Sequence, residues 1–398
     1  MTHQQASSGT QRDVRVLEDP SAIEALRERW NDLLSTSGEC VPNVDIDRFL
    51  TTTRSLDGAS PCVIAIGQGD ELCALVIGRL WRERMRFRVG YVQIPTTRLT
   101  RFDVVYRGVV VWDPSLGHAV LGEIDRIARS HRWDVVQCSH LDDAQADGFR
   151  ERFGRALRTR PDEEHWVWEF VEGSYDETLN TFSRKHRANV RRYNRVLEKA
   201  YDHEVEVRRY TRPDQIDEFI PLAASITKQS YHHAIGAGIR DTELWRTMTT
   251  MEAQKGRMRA SVMFAKGEPI AYQHGCLYGS TFFLEAMTYD QRHRDTRPGA
   301  VLLQRTVEWL CEEGGVDTLD YGFGDAGYKK IHGTRSWNER TARIYLGSAR
   351  ARLASWLDAT TAWIVARFRR TRSSDGSLGS LKRRWREFLR QRTEHRSG

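Results

Sequence analysis

A group of cations and a turn stand together in residues 289–310, YDQRHRDTRPGAVLLQRTVEWL. The cations are Arg292, Arg294 and Arg297, and the turn is formed by Pro298 and Gly299. The apolar residues that follow predict a helix over about 299–313. A helix start offers unpaired backbone N–H groups and the positive end of its dipole, and Gly299 lets a ligand approach the backbone closely. Pro-Gly is also ordinary helix punctuation, but with the arginines it predicts a site for a diphosphate.

One carboxylate, Glu285, lies in the middle of the apolar run TFFLEAMTY that precedes this segment. An unpaired carboxylate is costly in such a strand, so the side chain is either paired or used in chemistry. His274, in the neighbouring predicted strand, is the structural partner that pairing would require. Both interpretations stay open from the residues alone.

Further polar residues follow the next predicted strand. Asp320 and Asp325 flank the letters YGFG at its end, and ligands of open α/β sheets gather at the carboxyl ends of strands. Tyr328 and Lys329 come next, in GFGDAGYKK. This glycine run opens no clear helix, so we do not interpret it as a nucleotide loop. Asp320, Asp325 and Lys329 are candidates for binding an acceptor substrate, Lys329 an anionic one.

A basic run, TFSRKHRANVRRYNR, occupies residues 181–195. On a helix Arg184, Arg187 and Arg191 fall at i, i+3 and i+7, which makes a basic stripe beside Tyr193. A solvated helix face is the simplest explanation of such a run.

The elements that must position these residues alternate between strands and helices. In the first half we predict a helix over 20–38 with Ser21 as N-cap, two strands about a turn at 68–70, a helix at 117–131 and a strand at 133–141. In the second half we predict three strands over 259–290, then the helix behind Gly299, then a strand in 316–325. The fold class is therefore α/β.

The two halves repeat one order of elements, which indicates an internal duplication. We expect two tandem α/β units with mixed central sheets flanked by helices. The predicted parts are a disordered start (1–20), a degenerate unit (21–165), a catalytic unit (166–349) and a helical tail (350–398). In the first unit Asp113 precedes the corresponding helix, whereas arginines precede the helix of the second unit. Only the second helix start is therefore expected to bind phosphate.

The net charge of +7 lies in the tail. Residues 350–398 hold 13 Lys+Arg against 4 Asp+Glu, which leaves 48 against 50 for the rest of the chain. In the stretch LKRRWREFLRQR an apolar stripe faces arginines, formed by Leu381, Trp385, Phe388 and Leu389. This pattern predicts contact with an anionic membrane, and a solvated tail is the alternative. The helix before it should dock on the body by Leu353, Leu357, Ile364 and Phe368.

Composition excludes several classes of protein. The six cysteines are scattered without C-x-x-C pairs, which disfavours disulfides and zinc and suits a reducing cytosol. No window reaches the ~20 apolar residues of a membrane span, and the first 20 residues lack a signal sequence. The adjacent pair His232-His233 has no metal-ligand spacing, and no G-x-S-x-G elbow is present. We therefore expect a cytoplasmic protein without a metal.

The segment Arg294-Asp295-Thr296-Arg297-Pro298-Gly299 resembles the [R/Q]-x-x-G-x-[G/A] loop of GNAT acyltransferases, with Arg297 where the middle glycine belongs. The chain looks closer to tandem-GNAT proteins of the CelD/BcsL-like type, labelled as involved in cellulose biosynthesis. Matching residues are Tyr289-Asp290, Thr296 to Gly299 and Gly327-Tyr328-Lys329. Two residues of that type are missing from this chain: the proline that follows Tyr-Asp and the serine that precedes Pro-Gly. The resemblance covers about residues 170–346.

The resemblance implies two GNAT-like units and a site for acetyl-CoA in the second. The cofactor-binding residues would be Ala286, Met287, Thr288, Arg294, Arg297, Pro298 and Gly299, the first three through their backbone. Direct transfer to an amine needs a base, and Glu285 with a pKa raised by burial would suit that role. Tyr328 would protonate the leaving thiolate. Arg187 and Arg191 would bind a phosphate or a sugar nucleotide.

We therefore expect an acetyl-CoA-dependent N-acyltransferase acting on a small amine or amino sugar in exopolysaccharide or cell-envelope metabolism. One alternative is a FemAB-like aminoacyltransferase, but it needs an extended RNA surface, and the body of the chain is slightly negative. We expect no nucleic-acid partner. The other alternative is a non-catalytic accessory protein at the inner face of the membrane, in which Arg297 has spoiled the cofactor loop.

Overall fold

Two α/β units share one continuous mixed sheet. The computed structural model describes residues 12–69, 71–89, 92–171, 173–234, 236–322 and 327–372. The predictions for Asp325, for the first eleven residues and for 381–392 lie outside these residues. No helix within the described ranges is long and apolar enough to cross a membrane.

The first unit runs from β1 to β6. Its elements are β1 (Asp13–Leu17), α1 (Pro20–Glu24), α2 (Arg27–Ser37), α3 (Ile46–Arg54), β2 (Ala59–Gln68), β3 (Glu71–Val89), β4 (Val92–Val111), α4 (Gly117–Ser130), β5 (Val135–Leu141), α5 (Asp143–Phe153) and β6 (Leu157–Glu169). The sequence predicted β2 and the first part of β3 as a pair of strands. It did not predict β4 or the long hairpin that β3 and β4 form.

The second unit begins at α6 and repeats this order from β7 to β12. Its elements are α6 (Tyr175–Asn180), α7 (Arg184–Ala200), β7 (Val205–Tyr210), α8 (Ile216–Lys228), α9 (Tyr231–Ala234), α10 (Glu243–Gln254), β8 (Met258–Ala265), β9 (Glu268–Tyr278), β10 (Thr281–Tyr289), α11 (Pro298–Glu313), β11 (Thr318–Asp320), α12 (Gly327–His332), β12 (Arg335–Tyr345) and α13 (Ala349–Arg372). The three strands before α11, α11 itself and β11 confirm the predictions for this half.

The units exchange their last strands. The order across the sheet is β1-β2-β3-β4-β5-β12-β6-β11-β10-β9-β8-β7, so β12 pairs with β5 of the first unit and β6 pairs with β11 of the second. The two parallel pairs, β4 with β5 and β10 with β11, occupy equivalent places. This symmetric order supports the duplication, and the expected boundary at 165/166 falls inside β6 because the strands cross over at the seam.

The first predicted helix is wrong in its start and its continuity. It is divided into α1 and α2, and its N-cap is Asp19, whose side chain accepts a hydrogen bond from Ala22 N. Pro20 takes the first helical position, where its missing N–H costs nothing, so Ser21 lies inside the helix. Gly38 ends α2 in the left-handed region at φ 70°, as its position in the sequence predicted.

Helix α13 docks on the body, and Leu357 of the predicted stripe packs there, but Leu353 does not. Ala351, Ala354 and Asp358 are buried, whereas Leu353 is 47% exposed. The buried carboxylate of Asp358 accepts a hydrogen bond from Tyr345 Oη at 2.8 Å and pairs with Arg160 of β6. Burying that carboxylate against its partners leaves Leu353 facing outwards, because an unpaired charge would cost more than an exposed leucine.

Buried ion pairs join the two units across α3. Arg48 Nη1 lies 3.1 Å from Glu252 Oε1 of α10, and Arg48 Nη2 pairs with Glu285 of β10. Nearby, Arg257 Nη1 lies 3.0 Å from Asp45 Oδ2 at the start of α3. The side chain of Arg48 is only 12% exposed, and it is the cation that Glu252 and Glu285 share, besides the contact of Glu252 with Arg257 and that of Glu285 with His274.

A β-bulge interrupts β10 at Glu285. The register of β10 with β9 shifts between Leu284, opposite Gly275, and Ala286, opposite His274. Bulges re-aim a side chain and bend the strand. Gly275 permits this bend, because a Cβ there would lie 2.7 Å from Phe282 Cε2 and would also meet the Phe283 carbonyl.

Replacing Arg48 by Met should lower the free energy of unfolding by about 3–5 kcal/mol, because it leaves buried carboxylates without their shared cation. Urea unfolding at pH 7 measures this loss. Arg27→Met is the matched control, since the ion pairs of Arg27 lie at the surface and its loss should stay below about 1 kcal/mol. Equal losses in both variants would contradict the buried bridge.

Gly275→Ala should cost about 1–3 kcal/mol, because the added methyl overpacks the strand opposite the bulge. The control is Gly122→Ala in α4, where the nearest atom to the new Cβ is 3.9 Å away and a helical alanine should gain about 0.5–1 kcal/mol. Thermal unfolding of both variants checks the sign of each change, and a neutral Gly275→Ala would show that the bulge does not require glycine.

Candidate active site

Two cavities lie on either side of the bulge in β10. The larger has a volume of about 730 Å³ and is lined by Met287, Thr288 and Tyr289 of β10, together with residues of α9, α11 and α12. The smaller has a volume of about 340 Å³ and is lined by Glu285 and its neighbours, together with residues of the first unit. Strand β10 therefore passes from one cavity into the other.

The cavities exist because β10 and β11 part. These strands pair only from Thr281–Thr318 to Phe283–Asp320, after which β11 ends. Beyond Phe283 the edge of β10 on that side has no strand partner among the described residues, so its backbone N–H and C=O groups can meet a ligand. Ala286, in this stretch, turns its side chain into the core and is not among the residues that line either cavity.

The start of α11 lies at the larger cavity. Arg294, Arg297 and Gly299 line it, and Pro298 is buried as the first helical residue. No side chain caps this helix start, so its first N–H groups and its dipole act on whatever the cavity holds. The helix start therefore lies beside the end of β10 at this cavity, and the binding of an anion there stays a prediction.

Arg297 keeps the backbone shape of the glycine that it replaces in the GNAT motif. Its φ of 54° and ψ of 47° are left-handed, a conformation that glycine adopts freely and that costs other residues roughly 1–2 kcal/mol. The guanidinium lies 4.8 Å from the ring centroid of Tyr193 in α7, a cation–π contact. The side chain is thus held against α7, and the turn lies at the cavity.

Gly299 is packed closely at the same place. A Cβ on Gly299 would lie 3.0 Å from Tyr289 Cδ1, which is tighter than an ordinary contact. The helix start and the end of β10 therefore approach as near as a residue without a side chain allows.

Tyr328 of α12 connects the two cavities through a second tyrosine. It lines the larger cavity, and its ring lies edge-on to Tyr321, which lines the smaller one, with centroids 5.7 Å apart. Burial raises the pKa of Tyr328 to about 12, because the phenolate would be poorly solvated there. The hydroxyl therefore keeps its proton at neutral pH and can donate it.

Glu285 lies in the smaller cavity, and its predicted pKa shift is wrong in direction. Burial would raise the pKa, but Arg48 and His274 lower it to about 2. His274 Nδ1 lies 3.4 Å from Glu285 Oε2, so the pairing left open in the sequence is present too. Arg48 comes from the first unit, so the sequence around Glu285 gave no indication of this partner. Glu285 is ionised at neutral pH and is a weak base.

A chain of alternating carboxylates and imidazoles lies behind the smaller cavity. Two of its members, Asp320 and His165, line the cavity. His165 Nε2 lies 2.9 Å from Asp320 Oδ1, and His165 Nδ1 lies 3.0 Å from Glu339 Oε1. Glu339 Oε2 in turn lies 2.8 Å from His140 Nδ1. Burial would lower the pKa of His165, but the two carboxylates raise it to about 9. His165 is therefore an imidazolium at neutral pH.

Sequence reasoning missed His165 and Glu339. Asp320, His165, Glu339 and His140 belong to β11, β6, β12 and β5, which meet only because the units exchange strands. No spacing in the sequence brings the four together. The one available signal was the presence of polar residues within strands that are otherwise apolar.

Three predicted acceptor residues lie elsewhere. Lys329 is buried, and its Nζ donates a hydrogen bond to Gly322 O at 3.0 Å. Arg187 Nη1 donates to Phe182 O at 2.6 Å, which holds the chain before α7. Arg191 is exposed on α7. None of the three lines either of the two cavities.

Two groups of side chains have metal-ligand atoms within 4.8 Å of one another in the described residues. They are His274, Cys276 and Glu285, and Glu268, Asp290 and His293. Each group already holds an arginine: Arg48 pairs with Glu285, and Arg292 pairs with both Glu268 and Asp290. A guanidinium in place repels a metal cation, so we assign neither group to a metal.

Comparisons with known proteins agree with this geometry. Residues 184–330 match the model of the GNAT acetyltransferase domain, and no curated protein sequence matches the chain. A tandem GNAT protein from the clavulanic acid biosynthesis pathway has a similar structure, with a TM-score of 0.51 at 10% identity over 85% of this chain and 100% of that chain. FemX gives 0.51 at 14% identity over 75% of this chain and 90% of that chain.

A third similar structure is L-PGS from Bacillus licheniformis, with a TM-score of 0.51 at 14% identity over 87% of this chain and 97% of that chain. At such identities these likenesses show the fold alone. The described chain has a tandem GNAT-like α/β fold, its residues 184–330 match the model of the GNAT acetyltransferase domain, and the class of enzyme that this supports is an acyltransferase.

Proposed function

We propose that the protein is an acetyl-CoA-dependent N-acyltransferase that acts on a small amine or an amino sugar. One observation carries the proposal: the uncapped start of α11, flanked by Arg294 and Arg297, opens into a 730 Å³ cavity along the unpaired edge of β10. This arrangement offers fixed donors to an anion at one end and backbone hydrogen bonds along its length.

The residues present fit coenzyme A. The N–H groups behind Gly299, with Arg294 and Arg297, would hold the diphosphate, since the helix dipole and both guanidiniums favour that charge. The backbone of Ala286, Met287 and Thr288 would hold the pantetheine. Acetyl-CoA, when bound, would supply an activated acetyl thioester.

The smaller cavity suits the acceptor. It meets the larger one at the Tyr321–Tyr328 contact, and it contains the ionised carboxylate of Glu285. In this role Glu285 accepts hydrogen bonds from the acceptor's amine or hydroxyl groups and orients them, instead of serving as a base poised near neutral pH. Tyr328, with its raised pKa, holds the proton that would be given to the sulfur as the C–S bond breaks, and the proton lost by the attacking nitrogen as the C–N bond forms would restore it.

From the resemblance to the CelD/BcsL-like type we propose that the activity serves exopolysaccharide or cell-envelope metabolism, at the cytoplasmic face of the membrane. The fold of FemX is equally similar, so aminoacyl transfer is the competing proposal within the same fold. The first experiment below separates them, because the two activities need different donors.

Acetyl-CoA should raise the melting temperature of the protein by several degrees at about 100 times its Kd, where binding contributes about 2.7 kcal/mol. Gly299→Asp should abolish the shift, because it places a carboxylate at the phosphate position. Arg294→Glu, at an exposed side chain, should weaken it without disturbing the packing. The control is Gly117→Asp at the start of α4, the equivalent helix of the first unit.

A full shift in Gly299→Asp and in Arg294→Glu would contradict the proposed diphosphate site. Absence of any shift in the unchanged protein, together with retention of aminoacyl-tRNA on a filter, would favour the FemAB-like activity. Absence of both the acetyl-CoA shift and the retention of aminoacyl-tRNA would favour a non-catalytic protein.

Tyr328→Phe should lower kcat by about 10²-fold or more, because it removes the proton donor, and should leave the affinity for acetyl-CoA within about twofold. The release of free thiol from acetyl-CoA, followed with a panel of amines and amino sugars that begins with glucosamine, measures kcat and the dependence of the rate on acetyl-CoA concentration. Tyr231→Phe is the control, since Tyr231 lines the same cavity but is 57% exposed. Because the pKa of Tyr328 is about 12, the rate should not decline on the alkaline side up to about pH 10. Unchanged kcat in Tyr328→Phe would remove this residue from the reaction.

A further inference from the structure

His332 is a buried histidine that lines the larger cavity and has no role in the reaction described so far. It lies on α12 four residues after Tyr328, so the two side chains share one face of the helix. Tyr328 lines the same cavity. A second polar side chain therefore lies beside the proposed proton donor.

A chain of hydrogen bonds fixes the imidazole of His332. Tyr175 Oη donates to Gln304 Oε1 at 2.8 Å, which leaves the amide nitrogen of Gln304 facing the histidine. Gln304 Nε2 lies 3.2 Å from His332 Nδ1 and donates to it, since an amide nitrogen does not accept. Nδ1 is therefore the acceptor of the ring, and in a neutral imidazole the proton is then on Nε2.

The imidazole of His332 is neutral at physiological pH. Burial, and to a smaller extent the neighbouring His186, lower the pKa of His332 to about 4. The ring centroids of Trp168 and His186 lie 5.9 and 5.0 Å from that of His332, so the ring is enclosed on these sides. At neutral pH His332 is therefore a poor base and a fixed N–H donor.

The donor of His332 is open to the cavity. Within the described residues Nε2 has no hydrogen-bond partner, and it is not among the unpartnered nitrogen and oxygen atoms that the protein closes off completely. The space open to it is the larger cavity, which His332 lines. An N–H group without a partner is costly in a buried side chain, so a ligand that accepts this hydrogen bond would offset the cost.

His332 lies away from the proposed diphosphate site. Its partner Gln304 follows Gly299 by five residues along α11, which places it about 7.5 Å from the helix start. Tyr328, one turn from His332 on α12, contacts Tyr321 of the smaller cavity. In the proposed reaction the carbonyl of the acyl donor meets the acceptor at this end of the cavity.

We propose that His332 is a catalytic residue whose Nε2–H group donates a hydrogen bond to the carbonyl oxygen of the acyl thioester. The proposal rests on the acetyl-CoA-dependent function proposed above and adds the group that stabilises the charge on that oxygen. A neutral imidazole suits this role, because it keeps its proton while it polarises a carbonyl.

His332 acts while bonds change at the carbonyl carbon. As the acceptor's nitrogen forms the C–N bond, an electron pair of the C=O bond moves to the oxygen, where the hydrogen bond from Nε2 stabilises it. When this pair returns, the C–S bond breaks and its electron pair leaves with the sulfur, which takes the proton of Tyr328. The proton that the nitrogen loses restores Tyr328, and His332 keeps its own proton throughout.

Infrared spectroscopy tests this hydrogen bond without turnover. The probe is acetyl-CoA with ¹³C at the thioester carbonyl, added to the full chain without an acceptor. A hydrogen bond to the oxygen lowers the stretching frequency of a carbonyl, so the band of the bound thioester should lie lower in the unchanged protein than in His332→Phe. His186→Phe is the matched control and should leave the band in place, because His186 adjoins the same ring but lines neither cavity.

Kinetics and NMR supply independent measurements. His332→Phe should lower kcat by about 10²-fold or more, as the loss of one donor to a developing oxyanion does, and should leave the affinity for coenzyme A, which lacks the carbonyl, within about twofold. His332→Gln should recover part of the rate, because its amide can donate from a similar place. In the unchanged protein the ¹⁵N signals of His332 should show the proton on Nε2 at pH 7, a result that does not depend on how the variants fold.

Two results would overturn the role of His332 alone, with acetyl-CoA still bound. These are the same carbonyl band in the unchanged protein and in His332→Phe, and a proton on Nδ1 instead of Nε2. A more than tenfold loss of affinity for coenzyme A in His332→Phe at unchanged kcat would also overturn it, because the donor would then contact the pantetheine. If the unchanged protein binds no acetyl-CoA, the proposed function is contradicted together with this inference.

Discussion

The parting of β10 from β11 after Phe283 is the constraint on which the site depends. Parallel strands need their neighbours for hydrogen bonds, so a strand that loses its partner must find another or face a ligand. In this chain the free edge of β10 faces a cavity whose other end is a helix start. The same gap places Glu285, at the bulge, beside the ends of β10 and β11. One interruption of the sheet thus makes room for two ligands.

The two units are not independent bodies that happen to touch. Each completes its sheet with the other's last strand, and the crossing brings His165 and Glu339 behind the smaller cavity. Arg48 adds a contact from outside the sheet and fixes the charge on Glu285. The first unit, although it lacks the arginine-rich helix start, therefore determines the electrostatics of the cavity in the second.

Buried charges also decide orientation far from the site. Asp358 turns α13 so that its carboxylate meets Arg160 and Tyr345, and the leucine and tryptophans face outwards. A helical stripe of apolar residues normally faces the core, but a carboxylate with three polar partners outweighs it. The exposed indoles of Trp356 and Trp363 then follow from that orientation.

The amino-acid sequence by itself determined what short-range rules govern. Period-two apolar runs and glycine turns specified β2, β3 and β8 to β10, and Pro298-Gly299 with the apolar pattern behind it specified α11. The sequence also identified the residues at the larger cavity, Met287, Thr288, Arg294, Arg297, Gly299 and Tyr328, because they lie within 42 positions of one another on consecutive elements.

Only the tertiary structure decided the charge state of Glu285, the grouping of Asp320 with His165 and Glu339, and the face by which α13 docks. Each depends on a partner more than a hundred residues away or on a competition between burying a charge and burying an apolar stripe. Such partners leave no periodicity in the chain, since the strand exchange that brings them together is a property of the whole sheet and not of any segment.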